Sequence, residues 1–401
     1  MFETDSLDFL QHYWWCIIAI LAALLVFFTF IQGGQTFLFQ LGRKPLHKSL
    51  IVNVLGHKWE LGFTTLVTFG GAFFASFPVF YACSFSGAYW AWILLLFCFV
   101  LQAVSYEYRS KPNNKLGSKT FDIFLFINGS LGVFLIGVIV GSMFTGAPFV
   151  VNRLQLTDVL DLTKTTGAVS GNLTAITSWR GPAHGLEALW DIQNILLGFT
   201  LVFLSRCLGL LFFINRIEDN ELLVRSRSQL RLNAFLFVSL FLIFIGLLFC
   251  RDGFAVDKST AEIFMEPYKY LHNFLQMPLV FILFLLGVLS VLYGLWLGAF
   301  SKVKRSGFWF AGGGAFLVVF TLFLILGFHQ TAYYPSVFDL QSSLTIQNSS
   351  SNLYTLRVMS YVSLFIPLVI AYVAYVWYRL SKTHMNKEEL ERDDKENVDL
   401  Y

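Results

Sequence analysis

Charge is scarce in this 401-residue chain: only 13% of its residues are Asp, Glu, Lys or Arg. That leaves too little polar surface to clothe a soluble globule of this length. The formal net charge of +3 is too small to mark a nucleic-acid binder, and the basic residues sit in short clusters between apolar runs, so nucleic acid is set aside as a partner. Cysteine is sparse as well. Cys16, Cys83, Cys98, Cys207 and Cys250 lie in or at the ends of apolar segments, without a CxxC pair or metal-ligand spacing, and read as buried free thiols. The sequence has no Walker loop, dinucleotide fingerprint or Ser/His/Asp arrangement. Its start lacks the positive leader and small-residue cleavage site of a secretory signal, because Glu3, Asp5 and Asp8 precede the first apolar run. That run is expected to stay as a membrane helix. What the chain has in quantity is apolar, 56% hydrophobic and 18% aromatic, so its main solvent must be lipid.

A spanning helix needs about 20 mainly apolar residues. Nine stretches meet or approach that length, near residues 13–40, 62–84, 88–106, 121–145, 192–215, 233–250, 277–300, 308–328 and 358–380. Lys and Arg should collect on alternate sides of the bilayer. They do so after the first span (Arg43, Lys44, Lys48, Lys58), the third (Arg109, Lys111, Lys115, Lys119), the fifth (Arg216, Arg225, Arg227, Arg231) and the seventh (Lys302, Lys304, Arg305). The predicted fold is therefore an all-α integral membrane protein of about nine transmembrane helices, N-terminus outside and C-terminus cytoplasmic. Spans one and five both enter from outside and both precede a basic amphipathic stretch, which suggests two parallel four-helix halves plus one extra helix. The expected divisions are a first bundle over 1–145, an extracytoplasmic loop over 146–191, a second bundle over 192–328, an outer loop and ninth helix over 329–380, and a cytoplasmic tail over 381–401. The tail mixes charges of both signs and reads as a solvated helix or a disordered end.

A haem within the bilayer needs axial ligands at depth, usually His or Met. His12, His47, His57, His184, His272, His329 and His384 all fall in loops or at span ends, and Met143 and Met277 are terminal too. Catalysis by this chain alone is not expected, nor is a metal site. Polar residues within spans are the informative exceptions, since each costs roughly 0.5 to 3 kcal/mol to insert unless paired or hydrated. The first span ends in Gln32-Gly33-Gly34-Gln35-Thr36, where amides and glycines serve either as helix-packing contacts or as polar groups of a pathway. Trp59-Glu60 opens the second span: the carboxylate is either a first-turn helix acid or a proton uptake point. Arg206 lies ten residues, roughly 15 Å, from Arg216 along its helix and needs a partner, structural or functional. Gln102 is a further intramembrane pairing candidate. Gly312 to Gly314 reads as close helix packing.

Several blocks resemble subunit II of the cytochrome bd quinol oxidases. They are Gly56-His57-Lys58-Trp59-Glu60, then Gly70-Gly71-Ala72-Phe73 through Ser76-Phe77-Pro78 to Tyr81, and Phe85-Ser86-Gly87. Tyr106-Glu107-Tyr108-Arg109-Ser110-Lys111 is similar to that family's signature at the end of span three, and Gly146-Ala147-Pro148-Phe149, Glu221-Leu222 and Ser343-Leu344-Thr345-Ile346 fall where further blocks belong. Order and spacing hold along nearly the whole chain. The resemblance implies a complex in which subunit I carries the haems and the quinol-oxidising loop. Quinol then reduces oxygen to water with protons drawn from the cytoplasm. This chain would bind no haem itself; it would scaffold subunit I, contribute proton or oxygen routes, and offer room for a structural quinone and a small accessory subunit. The sequence departs from the family pattern where Gln32 and Gln35 replace acids at the end of span one, and where Gln102-Ala103 replaces an Arg-Pro pair. Glu60 keeps a carboxylate where one is usual, and Arg206 is a candidate substitute for the missing arginine. The rival reading is a polytopic secondary transporter, which Gln32 to Thr36 and Arg206 fit loosely as a substrate site.

Overall fold

A computed structural model describes residues 6–111, 114–152, 176–301 and 306–380. The basic residues Lys302, Lys304 and Arg305, and the tail from 381 onward, lie outside the described residues, as does the middle of the 146–191 loop.

Helix α1 (Leu7–Phe28) starts where the Ser6 hydroxyl accepts the Phe9 N–H, and it continues with a slight break at Thr29 into α2 (Phe30–Gln35). Together they form one apolar helix of 29 residues. The basic loop that follows folds into α3 (Pro45–Gly56), and α4 (Trp59–Ser76) then crosses back. At Pro78, which has no N–H to offer the preceding turn, the chain bends by 115° into α5 (Pro78–Phe80) and the π-helical turn Tyr81–Gly87. The second expected span is therefore cut short at Phe77, and its last residues run along the outer side. Helix α6 (Tyr89–Tyr108) returns, and α7 (Ser118–Ile127) joins α8 (Val133–Thr145) through a second π-helical turn, Asn128–Gly132.

The second half repeats long helices: α9 (Ile192–Arg216), α10 (Asn220–Cys250), α12 (Pro278–Phe300) and α13 (Gly307–Gly327), with the short α11 (Lys269–Gln276) before α12. The short α14 (Ile346–Ser349) and then α15 (Leu353–Ser363) and α16 (Ile366–Leu380) complete the described chain. Among the described residues eight helices are long and apolar enough to cross a membrane, nine if the bent pair is one span. The outer end is capped by two antiparallel pairs, β1 (Phe149–Val151) with β2 (Thr177–Trp179) and β3 (Gly253–Val256) with β4 (Ile263–Glu266).

Helices approach closely where glycine removes the side chain. A Cβ on Gly33 would lie 1.9 Å from the Ser205 carbonyl oxygen, and one on Gly209 would lie 2.5 Å from the Gly34 nitrogen, so α2 and α9 meet backbone to backbone. Of the Gly312–Gly314 run, Gly312 admits the Phe27 ring and Gly314 the Gly287 carbonyl, while Gly313 faces open space. An aromatic core fills the outer half: Trp15 packs against Phe73, Phe77 and Tyr333, and its indole N–H donates to the Phe323 carbonyl at 2.9 Å. The cysteines are free thiols. Cys83, Cys98 and Cys207 are buried as expected, Cys16 is half-buried, and Cys250 is exposed because α10 ends there at the outer surface.

Candidate functional site

The polar residues of the first span meet a single face of α6. Gln32 Nε2 donates to Gln102 Oε1 at 3.2 Å, and Gln35 Nε2 donates to the Tyr106 hydroxyl at 3.1 Å. The donors are three residues apart and the acceptors four, so each pair lies one helical turn from the other and the contacts form a seam. All four side chains are buried. Trp59 closes the cytoplasmic end by stacking on Tyr106, centroids 5.8 Å apart, and Gly62 makes room for the Gln32 amide, which a Cβ there would meet at 3.3 Å.

The seam is not self-sufficient. Gln35 Oε1, Gln102 Nε2 and both amide atoms of Asn128 are buried without a hydrogen-bond partner among the described residues. Asn128 opens the π-helical turn beside Cys98, one turn from Gln102, and the Gly132 position is crowded by both. Buried amides left open in one region are the setting in which ordered water is found.

Glu60 occupies the next position after Trp59 and is exposed, with no hydrogen bond or ion pair to the seam among the described residues. The structure thus unites Gln32, Gln35, Gln102 and Trp59 but does not bring Glu60 to the amides.

Arg206 on α9 finds neutral partners. Its Nε donates to Asn233 Oδ1 at 2.7 Å, Nη1 to Thr36 Oγ1 at 2.8 Å and Nη2 to Gln40 Oε1 at 3.2 Å, and the guanidinium lies 4.1 Å over the Phe37 ring. Asn233 stands two residues past Arg231, where the charged first part of α10 gives way to its apolar stretch. Arg206 and Gln102 pair with different groups and not with each other.

Of the motif residues at the end of α6, Glu107 reaches Lys111 at 3.8 Å on the surface, Tyr108 is exposed, and Arg109 turns inward. Its Nε donates to Asp122 Oδ1 at 2.8 Å while Lys48 Nζ donates to Oδ2 at 2.8 Å. Asp122, only 1% exposed, is the hub of this triad, and sequence reasoning missed it. The signal was a single acid one turn into an apolar run, opposite two basic loops. Gly70 faces the Phe85 ring at 3.4 Å, Gly71 faces open space, and Pro78 makes the bend.

On the outer side a cavity of about 480 Å³ is lined by Ser84, Trp92, Trp179, Glu187, Arg251 and Tyr334 among others. An apolar cavity of about 80 Å³ shares Trp92 with it and continues inward. Glu187 accepts the Ala183 and Gly185 N–H groups, each at 2.7 Å, and the Trp179 indole N–H at 3.4 Å. Burial pushes its carboxyl up, but these donors together outweigh burial and hold it below the usual carboxylate range. Arg251 bridges to Asp191 at 3.3 Å and Gln193 at 2.9 Å.

Among the described residues the histidines lie toward the helix ends or in loops, and no group of three His, Cys, Asp or Glu could hold a metal. His384 lies outside the described residues.

The architecture is that of a multi-pass, mainly helical membrane protein whose buried polar groups are arranged between helices. The chain belongs to the cytochrome bd terminal oxidase subunit II family, whose description matches residues 10–380. It is 27% identical to the cytochrome bd-I ubiquinol oxidase subunit 2 of Escherichia coli over 96% of this chain and 98% of that one. It is 26% identical to the cytochrome bd ubiquinol oxidase subunit 2 of Bacillus subtilis over 95% and 98%, and 25% identical to a probable cytochrome oxidase subunit 2 of Haemophilus influenzae over 93% and 94%. The bd oxidase structure from Geobacillus thermodenitrificans shares the fold, with a TM-score of 0.54 at 11% identity over 94% of this chain and 97% of that one. The protein is thus a multi-pass component of a bacterial cytoplasmic-membrane quinol oxidase complex, and the transporter reading falls away.

Proposed function

We propose that this chain is the haem-free, non-catalytic member of its oxidase, seating the haem-bearing subunit I and feeding it protons through a hydrated seam. The observation that carries the proposal is the pair of bonds Gln32–Gln102 and Gln35–Tyr106 with unpartnered amide atoms around them. Amides hold and orient water but do not ionise. A titrating collector must therefore stand outside the seam, and Glu60 is the acid at its cytoplasmic mouth, one residue from Trp59. Quinol oxidation and oxygen reduction then belong to the partner. The histidine placement among the described residues supports that division.

The outer cavity suits a structural quinone. Trp92, Trp179 and Tyr334 offer flat apolar walls, Ser84 and Arg251 offer donors for ring oxygens, and the inner apolar cavity suits the start of a tail. A small accessory subunit, or oxygen entering by the apolar cavities, is compatible with the exposed helix faces. The division into halves, 1–145 and 192–328, with the outer loops and tail as appendages, belongs to the same proposal. Helix α1 lies against α13 as α9 lies against α8, with α2 and α9 meeting between them, the pairing that an axis along the membrane normal requires.

The test is quinol-driven oxygen consumption by the assembled complex across pH. Glu60→Gln is expected to slow it while haem spectra and assembly stay intact. A Glu60 that is only a first-turn helix acid would cost no more than about 1 kcal/mol of stability and leave turnover alone; wild-type rates at every pH remove the proton role.

A further inference from the structure

On the cytoplasmic half, a groove of about 660 Å³ runs between α1, α4 and α16. Leu21, Leu24 and Phe28 of α1 form its floor, Leu61 of α4 and Ile370 of α16 its sides, and Trp377 and Arg216 stand at its end. These walls belong to helices that are apolar enough to span the membrane. The charged end is unusual. Lys58, which caps the start of α4, is only 4% exposed, and its ammonium has no hydrogen-bond acceptor among the described residues. It rests 5.1 Å over the Trp377 ring and feels the positive charge of Arg216. A ring face attracts a cation but cannot accept the bonds of three ammonium protons, and a second cation nearby adds repulsion.

We infer that this groove binds one anionic phospholipid of the cytoplasmic leaflet, its phosphate held between Lys58 and Arg216 and an acyl chain laid along Leu21, Leu24 and Leu61. Charge and shape select the ligand together. An isolated phosphate or a protein carboxylate answers the Lys58 ammonium but leaves the apolar groove unfilled, whereas a zwitterionic lipid fills the groove but brings its own cation beside that ammonium. The cations lie on the basic side of the membrane, where anionic headgroups gather around Lys and Arg.

The experiment is native mass spectrometry of the assembled complex, delipidated in detergent and then offered dioleoylphosphatidylglycerol or dioleoylphosphatidylcholine. The wild type should retain one phosphatidylglycerol about tenfold or more tightly than phosphatidylcholine, as expected for two cations on one phosphate. Lys58→Met should abolish that preference and Lys58→Arg should keep it. Should Lys58→Met fail to assemble, Leu24→Trp, which blocks the acyl path without touching charge, should lower retention of both lipids at this site. Equal retention of the two lipids by the wild type, a preference unchanged in Lys58→Met, or retention unchanged in Leu24→Trp overturns the proposal. So does a preference that emerges only after residues 387–401 are deleted, which would give the cations to the acids of the chain's own tail.

Discussion

Asp122 shows how much a single side chain can decide. It receives Arg109 and Lys48 at once, is almost wholly buried, and ties the start of α7 to the end of α6 and to α3. Removing one member of a buried ion cluster leaves the others desolvated without compensation. Asp122→Ala should lower the stability of the complex by about 3 kcal/mol or prevent its assembly, and Asp122→Glu should recover part of the loss. A thermal melt of the purified complex reads the difference; an unshifted melt for Asp122→Ala would mean the charges find water instead. Arg206 is the contrasting case. The sequence makes its need for a partner plain but does not name one, because neutral acceptors leave no charge pattern to read. The structure supplies Asn233, Thr36 and Gln40. Arg206→Leu should cost about 1 to 3 kcal/mol through the acceptors it strands. Arg206→Lys should not restore the full value, since an ammonium cannot reproduce the planar set of three donations. Yield and melting temperature of both variants are the check, and equality with wild type would make the arginine dispensable.

Helices were the most legible elements, because length, hydropathy and the alternation of basic loops are properties of continuous stretches. The irregularities within them were not. The π-helical turns at Tyr81–Gly87 and Asn128–Gly132 leave no period to detect, and the 115° bend at Pro78 lies inside what reads as one apolar run. Hydropathy cannot separate a helix that crosses the bilayer from one that turns to lie along it. The family-like spacing of Trp59, Gly70, Gly71 and Pro78 identified the segment without giving its shape. The Gly33-Gly34 pair was legible as close packing, but its partner, Ser205 to Gly209 on α9, was not, since helix contacts between distant segments need the fold. That contact sets the distance between the two long helices at the centre of the molecule. Gly209→Val should force α2 and α9 apart and cost at least about 1 to 3 kcal/mol, whereas Gly71→Ala, on a helix face with nothing within 4 Å, should be silent. Comparing the two melts isolates close approach from a general intolerance of larger residues; a silent Gly209→Val would show that the interface can open.

At the scale of the whole molecule, the governing question is where the redox chemistry resides. A bilayer-embedded haem requires an axial imidazole or thioether at depth and a chamber wide enough for the ring. In the described chain the imidazoles are spread among loops and helix ends on both sides, and the inner cavity between the helices, about 80 Å³, is lined by Phe, Leu, Ile and Trp side chains. Repacking that interior to admit a porphyrin would sacrifice many buried aromatic contacts, each worth about 0.5 to 1.5 kcal/mol beyond its area. The prediction is that this chain, expressed without its partner and purified in mild detergent, is colourless, and that the haem absorption of the oxidase appears only when subunit I is co-expressed. Pyridine haemochrome analysis sets the result on a molar scale. A stoichiometric haem on the isolated chain would overturn the assignment of redox centres to the partner. It would also remove the reason for reading Gln32, Gln35 and Gln102 as water-holding groups that serve a reaction elsewhere.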